Sequence, residues 1–137
     1  MNEKKILVIP CSGMGKPIGS VSRETAYEII ENLIKKKSET ICLALLTSGD
    51  EKTINRLKNN YCITIDGCAK HCAKKNTEEC GKIPDKSYTV LKFAAANPDK
   101  KPDGIIDIGE GGRALVHTIA NEILEDIGGL LENDDRF

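Results

Sequence analysis

The sequence predicts an α/β fold, a parallel sheet with helices on both faces, and three observations predict it. Short apolar runs recur along the chain at Ile6–Ile9, Thr40–Leu46, Tyr61–Ile65 and Tyr88–Leu91. Stretches with helical apolar spacing follow the runs, an alternation typical of βαβ units. The first run, Ile6-Leu7-Val8-Ile9, is apolar at every position, as suits a strand covered on both sides.

Each element has its own signals. Strand one stops at Pro10 and passes into a turn-forming stretch, Cys11 to Gly19. Ser20 or Ser22 can cap the first helix, with Glu24 in its first turn. Ala26, Ile29, Ile30, Leu33 and Ile34 mark that helix's buried stripe, and Lys35-Lys36-Lys37 suits its negative end. Strand two, Thr40–Leu46, ends at Thr47-Ser48-Gly49, and Asp50 can cap a short helix carrying Ile54 and Leu57. Strand three, Tyr61–Ile65, is rich in β-branched and aromatic residues. A helix beginning near Gly67 and ending between Asn76 and Gly81 is expected to hold Cys68 and Cys72.

Strand four is placed at Tyr88–Leu91, and the stretch from Ala94 to Gly104, with two prolines, reads as irregular. Leu115, Ile119, Ile123, Leu124, Ile127 and Leu131 then mark a long amphipathic helix. Gly111-Gly112 weighs against starting it as early as Asp107. The expected organisation is one domain over residues 1–132 and a frayed tail over 133–137. The fold expected is three-layered and Rossmann- or flavodoxin-like, with about four strands in the order 2-1-3-4.

Bulk composition narrows the function classes. The 137 residues carry 20 Lys+Arg against 21 Asp+Glu, a formal charge of -1, which gives no broad attraction to nucleic acid or to an anionic membrane. Two Phe, three Tyr and no Trp leave little material for stacking bases. No segment approaches the roughly 18 uninterrupted apolar residues of a membrane span. Met1 to Ile6 leads into a strand rather than a signal-peptide core, so the expected compartment is the cytoplasm. There, six cysteines read as metal ligands, reactive thiols or small buried hydrophobes, not as disulfides. The partner is expected to be a small molecule or a protein.

The chemistry concentrates in Ile65-Asp66-Gly67-Cys68-Ala69-Lys70-His71-Cys72. Two cysteines four apart face the same way if a helix carries both. Near a helix N-terminus, free amide N–H groups stabilise a thiolate. In a 2-1-3-4 sheet the loops after strands one and three part at a topological switch point, where ligand crevices form. Cys11 follows strand one, and Cys68 and Cys72 follow strand three, so three thiols converge. Cys42 is the natural fourth, but in a strand running to Leu46 it would lie about 10 Å below the rim.

Ile65-Asp66-Gly67-Cys68 with Cys72 resembles the DGC-domain family, named for its Asp-Gly-Cys motif. The resemblance takes in Pro10-Cys11-Ser12-Gly13, Gly15-Lys16, Gly19-Ser20, Cys42-Leu43-Ala44, Gly49-Asp50-Glu51 and Lys74-Lys75, and fades beyond about Val90. It implies a zinc site on Cys11, Cys42, Cys68 and Cys72, and it implies no reaction. Cys62 and Cys80 fall outside the shared pattern.

The remaining candidates have plainer readings. Cys62 in an apolar strand reads as a small hydrophobe, and Cys80 as incidental. His71 is offset from Cys72 by about 100° on a helix and reads as solvated, with substitution for Cys42 as the alternative. His117 reads as a surface or packing residue. Asp66 can accept hydrogen bonds from the loop after it. The Gly13–Ser20 loop fails as a Walker P-loop, because Pro10 and Pro17 stand at required positions. With Lys16 it can still bind an anion, or it is a turn that only aims Cys11.

Three functions compete. A zinc ion on four thiolates is a closed, structural or regulatory centre, whereas three leave a position for hydrolytic chemistry. The alternative is thiol redox or sulfur transfer using Cys68, Cys72 and Cys11, with an iron–sulfur cluster as its variant. A Cys11 phosphatase lacks its arginine, since Pro17 stands in that place.

Overall fold

The computed structural model describes residues 4–11 and 16–133, with side chains placed as far as Gly128. Four strands form one all-parallel sheet in the order β2-β1-β3-β4. They are β1 (Ile6–Pro10), β2 (Ser38–Thr40), β3 (Tyr61–Asp66) and β4 (Lys86–Thr89). Among the described residues α1 (Pro17–Glu28), α2 (Leu43–Thr47), α3 (Glu51–Lys58) and α4 (Cys72–Glu79) lie between the strands, and α5 (Val90–Ala96) and α6 (Gly109–Asn133) follow the last of them. The expected fold class and strand order are those found.

Alternation along the central strands builds the three layers. Ile6 and Val8 of β1, with Ile63 and Ile65 of β3, pack beneath Val21 and Ala26 of α1 and the buried stripe of α6. Leu7 and Ile9 point the other way, with Cys62, onto Ile41, Leu46, Leu57 and Ala73. Both faces of β1 are thus sealed, which is why its run has no polar position.

Several boundaries differ from the sequence reading, each for a local reason. Helix α1 opens at Pro17 and not at a serine cap, because proline's fixed φ and missing N–H suit the first helical position. Ser20, Ser22 and Glu24 therefore lie inside α1, and no acidic residue occupies its first turn. The helix closes through a π turn, Ile29–Leu33, and Lys35–Lys37 follow beyond it. Strand β2 ends at Thr40, whose hydroxyl donates to the Val8 carbonyl at 2.8 Å, and the apolar residues after it form helix α2. There Leu46 is buried and Leu45 exposed, a helical alternation that a continuous apolar run conceals.

Helix α4 starts at Cys72, so Cys68 sits in the turn before it and the two thiols do not share a helix. Strand β4 lies two residues earlier than expected, and Val90 opens the unforeseen α5, which packs Val90, Phe93 and Ala94 on the core. The early start of α6 is possible because of its glycines: a side chain at Gly111 would overlap the Lys101 carbonyl oxygen. Asp50 caps α3 as expected, accepting from the Thr53 N–H at 3.1 Å. Helix α6 runs to Asn133, and the rest of the expected frayed tail lies outside the described residues. Among the described residues no helix is long and apolar enough to cross a membrane.

Candidate functional site

Strand pairing decides what reaches the carboxyl rim. Val8 pairs with Thr40 and Pro10 with Ile65, so Cys11 and Cys42 each stand at most two residues beyond their last paired position. The early end of β2 lifts Cys42 to the rim, at the N-cap of α2, where it is exposed. The Cys11 N–H extends the β1–β3 ladder by donating to the Ile65 carbonyl at 2.9 Å.

Cys11 lies between two cavities. One, of about 400 Å³, is lined by Pro10, Cys11, Tyr27, Ile41, Cys42 and Leu43 among others. The second, of about 200 Å³, is lined by Cys11, Lys16, Ile18, Gly67, Cys68 and Lys70 among others. Thus Cys11 shares one space with Cys42 and another with Cys68. Cys72 opens α4 farther along and is exposed.

The Cys11 sulfur is held by two polar contacts. The Gly67 N–H donates to it at 3.2 Å, and the Ser22 hydroxyl oxygen stands 3.4 Å away. Ser22 also donates to the Gly19 carbonyl at 2.6 Å, so while it does, a Cys11 thiol can donate to the hydroxyl oxygen. If the sulfur ionises, that hydroxyl can turn its proton to the sulfur instead, because a hydroxyl rotates to suit its partner. Gly67 comes this close because it has no side chain. A Cβ there would lie 3.0 Å from the backbone of Ile18 and Gly19.

Asp66 fixes the turn that carries Cys68. It is buried, and its two carboxylate oxygens accept from the N–H groups of Ala73 at 2.7 Å and Lys74 at 3.1 Å. It therefore satisfies the open amides of α4 from the end of β3, while His71 at the N-cap position makes no side-chain cap. His71 holds a left-handed backbone, φ 53°, and its ring stands 3.9 Å from the Asp66 carboxylate rather than on a helix surface. The His71 N–H closes the turn on the Cys68 carbonyl at 3.3 Å. His117 is exposed on α6, 3.8 Å from Glu28.

Cys62 is fully buried beneath α2 and α3, and burial pushes its thiol up to about 12. Cys80 packs on the same cluster and donates to the Leu46 carbonyl at 3.5 Å. The Cys62 shift carries a pH dependence of definite sign. The neutral thiol favours the fold fully below the unfolded thiol's value near 9.0, and this contribution is lost as pH rises from there through about 12. Urea unfolding at about pH 8 and about pH 10.5 should show stability falling with pH, and the fall should be shallower in Cys62→Ala. An unchanged slope in that variant refutes the assignment.

Lys70, Tyr27 and the Gly67 amide went unnoticed in sequence. Lys70 was readable as a charge beside a cysteine, but its cavity depends on α1 crossing the turn. Ser22 was read only as a helix cap. Residues 12–15 of the glycine-rich loop lie outside the described residues. Among the described residues, no three His, Cys, Asp or Glu side chains stand close enough together to hold a metal ion. The four thiols suit zinc in kind, as soft donors, but among the described residues they are not gathered about one point.

A family model for the DGC domain matches residues 7–107, from β1 to the loop before α6. No curated protein and no solved structure gives a significant match to the chain. The matched span runs from the second residue of β1 through β4 and includes Cys11, Cys42, Cys68 and Cys72, and on that extent the chain belongs to the DGC domain family.

Proposed function

We propose that the protein binds zinc through the thiolates of Cys11, Cys42, Cys68 and Cys72, as a structural or regulatory centre. One observation carries this reading: Cys11 lines the cavity of Cys42 on one side and that of Cys68 on the other. Four thiolates form a closed tetrahedral donor set, at about 2.3 Å for each sulfur, and leave no open position for a substrate. Because the sulfurs are not yet convergent, zinc binding and closure of the rim are one coupled process, as for other thiolate sites. Asp66 sets the turn that carries Cys68, and the Gly67 N–H supports the Cys11 sulfur. A reducing compartment, the cytoplasm, keeps the six free cysteines available.

A thiol-exchange role is the second reading, and the Gly67 N–H donating to the partly buried Cys11 sulfur favours it. Anaerobic purification followed by metal analysis and a visible spectrum separates these readings. One colourless zinc per chain, with four thiols released to titration by a chelator, is the expected result. A brown protein means an iron–sulfur cluster, and a metal-free chain that refuses added zinc leaves the exchange reading. Cys11→Ser should weaken zinc binding by at least about a hundredfold, because a neutral hydroxyl replaces a charged soft ligand. Retention of tight, stoichiometric zinc removes Cys11 from the ligand set.

A further inference from the structure

We propose that the cavity between Cys11 and Cys68 is a subsite for a small anion, a carboxylate or an oxyanion, held between Lys16 and Lys70. Both lysines line that space, and among the described residues no carboxylate lines it with them. Neither lysine forms an ion pair among the described residues. Residues 12–15, between Cys11 and Lys16 in the sequence, are Ser-Gly-Met-Gly and include no charged residue. Asp66, close in sequence, is buried and committed to the amides of Ala73 and Lys74. Two cations facing one concavity without a partner raise the local concentration of anions, and lysine grips an oxyanion as a point charge.

The neighbouring cavity supplies the contrast. Its lining is Pro10, Tyr27, Thr40, Ile41, Leu43 and Ala44 around Cys11 and Cys42, with no charged side chain. The rim therefore has an apolar half and a cationic half, joined at the Cys11 sulfur. A ligand with a negatively charged end would place that end by Lys16 and Lys70, within reach of Cys68. This assignment rests on charge and shape alone and does not require that the rim hold a metal.

Site-resolved alkylation tests it on the metal-free, reduced protein. Iodoacetate and iodoacetamide react alike, the thiolate sulfur displacing iodide as its S–C bond forms, but only the first carries a negative charge. The iodoacetate-to-iodoacetamide rate ratio at Cys68 should exceed that at Cys42 by about five-fold at low salt, as expected for one anion near two partly screened cations. The double variant Lys16→Gln/Lys70→Gln should bring the two ratios together, and both substitutions fall on exposed side chains. Inorganic phosphate protecting Cys68 at lower concentration than acetate marks an oxyanion site, and the reverse order marks a carboxylate site. Equal ratios in the parent protein, an unchanged ratio in the double variant, or no protection by either anion overturns the proposal. Zinc uptake is scored separately, so its failure with the alkylation contrast intact would count only against the metal reading.

Discussion

Asp66→Ala should destabilise the fold by about 3 kcal/mol, because two amides lose a charged acceptor in a buried place. Among the described residues, the carboxylate is the only side-chain acceptor of the Ala73 and Lys74 N–H groups. Water cannot readily replace it, since Ala73 and Asp66 are both buried. Asp66→Asn keeps one acceptor oxygen but turns an NH2 group toward an N–H, so its cost should be roughly half that of alanine. Chemical denaturation measures both. A loss under about 1 kcal/mol in the alanine variant would mean that the helix start finds other partners. The same variant should bind zinc more weakly, since the turn carrying Cys68 and His71 would lose its anchor.

Gly67→Ala should cost about 2 kcal/mol, within the usual range for overpacking. The obstacle is backbone, the Ile18 carbonyl carbon and the Gly19 nitrogen, each 3.0 Å from the added carbon. A flexible side chain could swing aside, but the first turn of α1 is fixed by its packing. Relief requires parting α1 from the β3–α4 turn, which also stretches the Gly67 N–H bond to the Cys11 sulfur. The variant should therefore lose both stability and zinc affinity, measured by urea unfolding and by competition with a chromophoric chelator. An alanine protein as stable as its parent would show that the two backbones part easily.

The sheet was legible because its signal is strong and local: β1 and β3 are short apolar runs, and their burial on both faces is what such runs encode. The order 2-1-3-4 was an expectation from the fold class, and with it the loops after β1 and β3 part at a switch point, which placed Cys11 near the end of β3. What misled was the apolar stretch from Ile41 to Leu46, where strand and helix predict the same composition. The Thr40 side chain and the burial of Leu46 resolve it, and neither is visible before the chain folds. Cys68 and Cys72 illustrate a different limit. Their spacing fits a helical turn, yet Asp66 holds the helix start at Cys72 by bonds across seven and eight residues. Local spacing cannot register a cap delivered from the preceding strand.

The position of β1 between β2 and β3 has a consequence for the nascent chain. On the ribosome Cys11 and Cys42 emerge first, and β1 with β2 can bring together only that pair of sulfurs. The other two arrive with the third strand, which must insert along the opposite edge of β1. Under the proposed zinc site, the set of four sulfurs is therefore complete only once the chain has been made through Cys72, about half of its length.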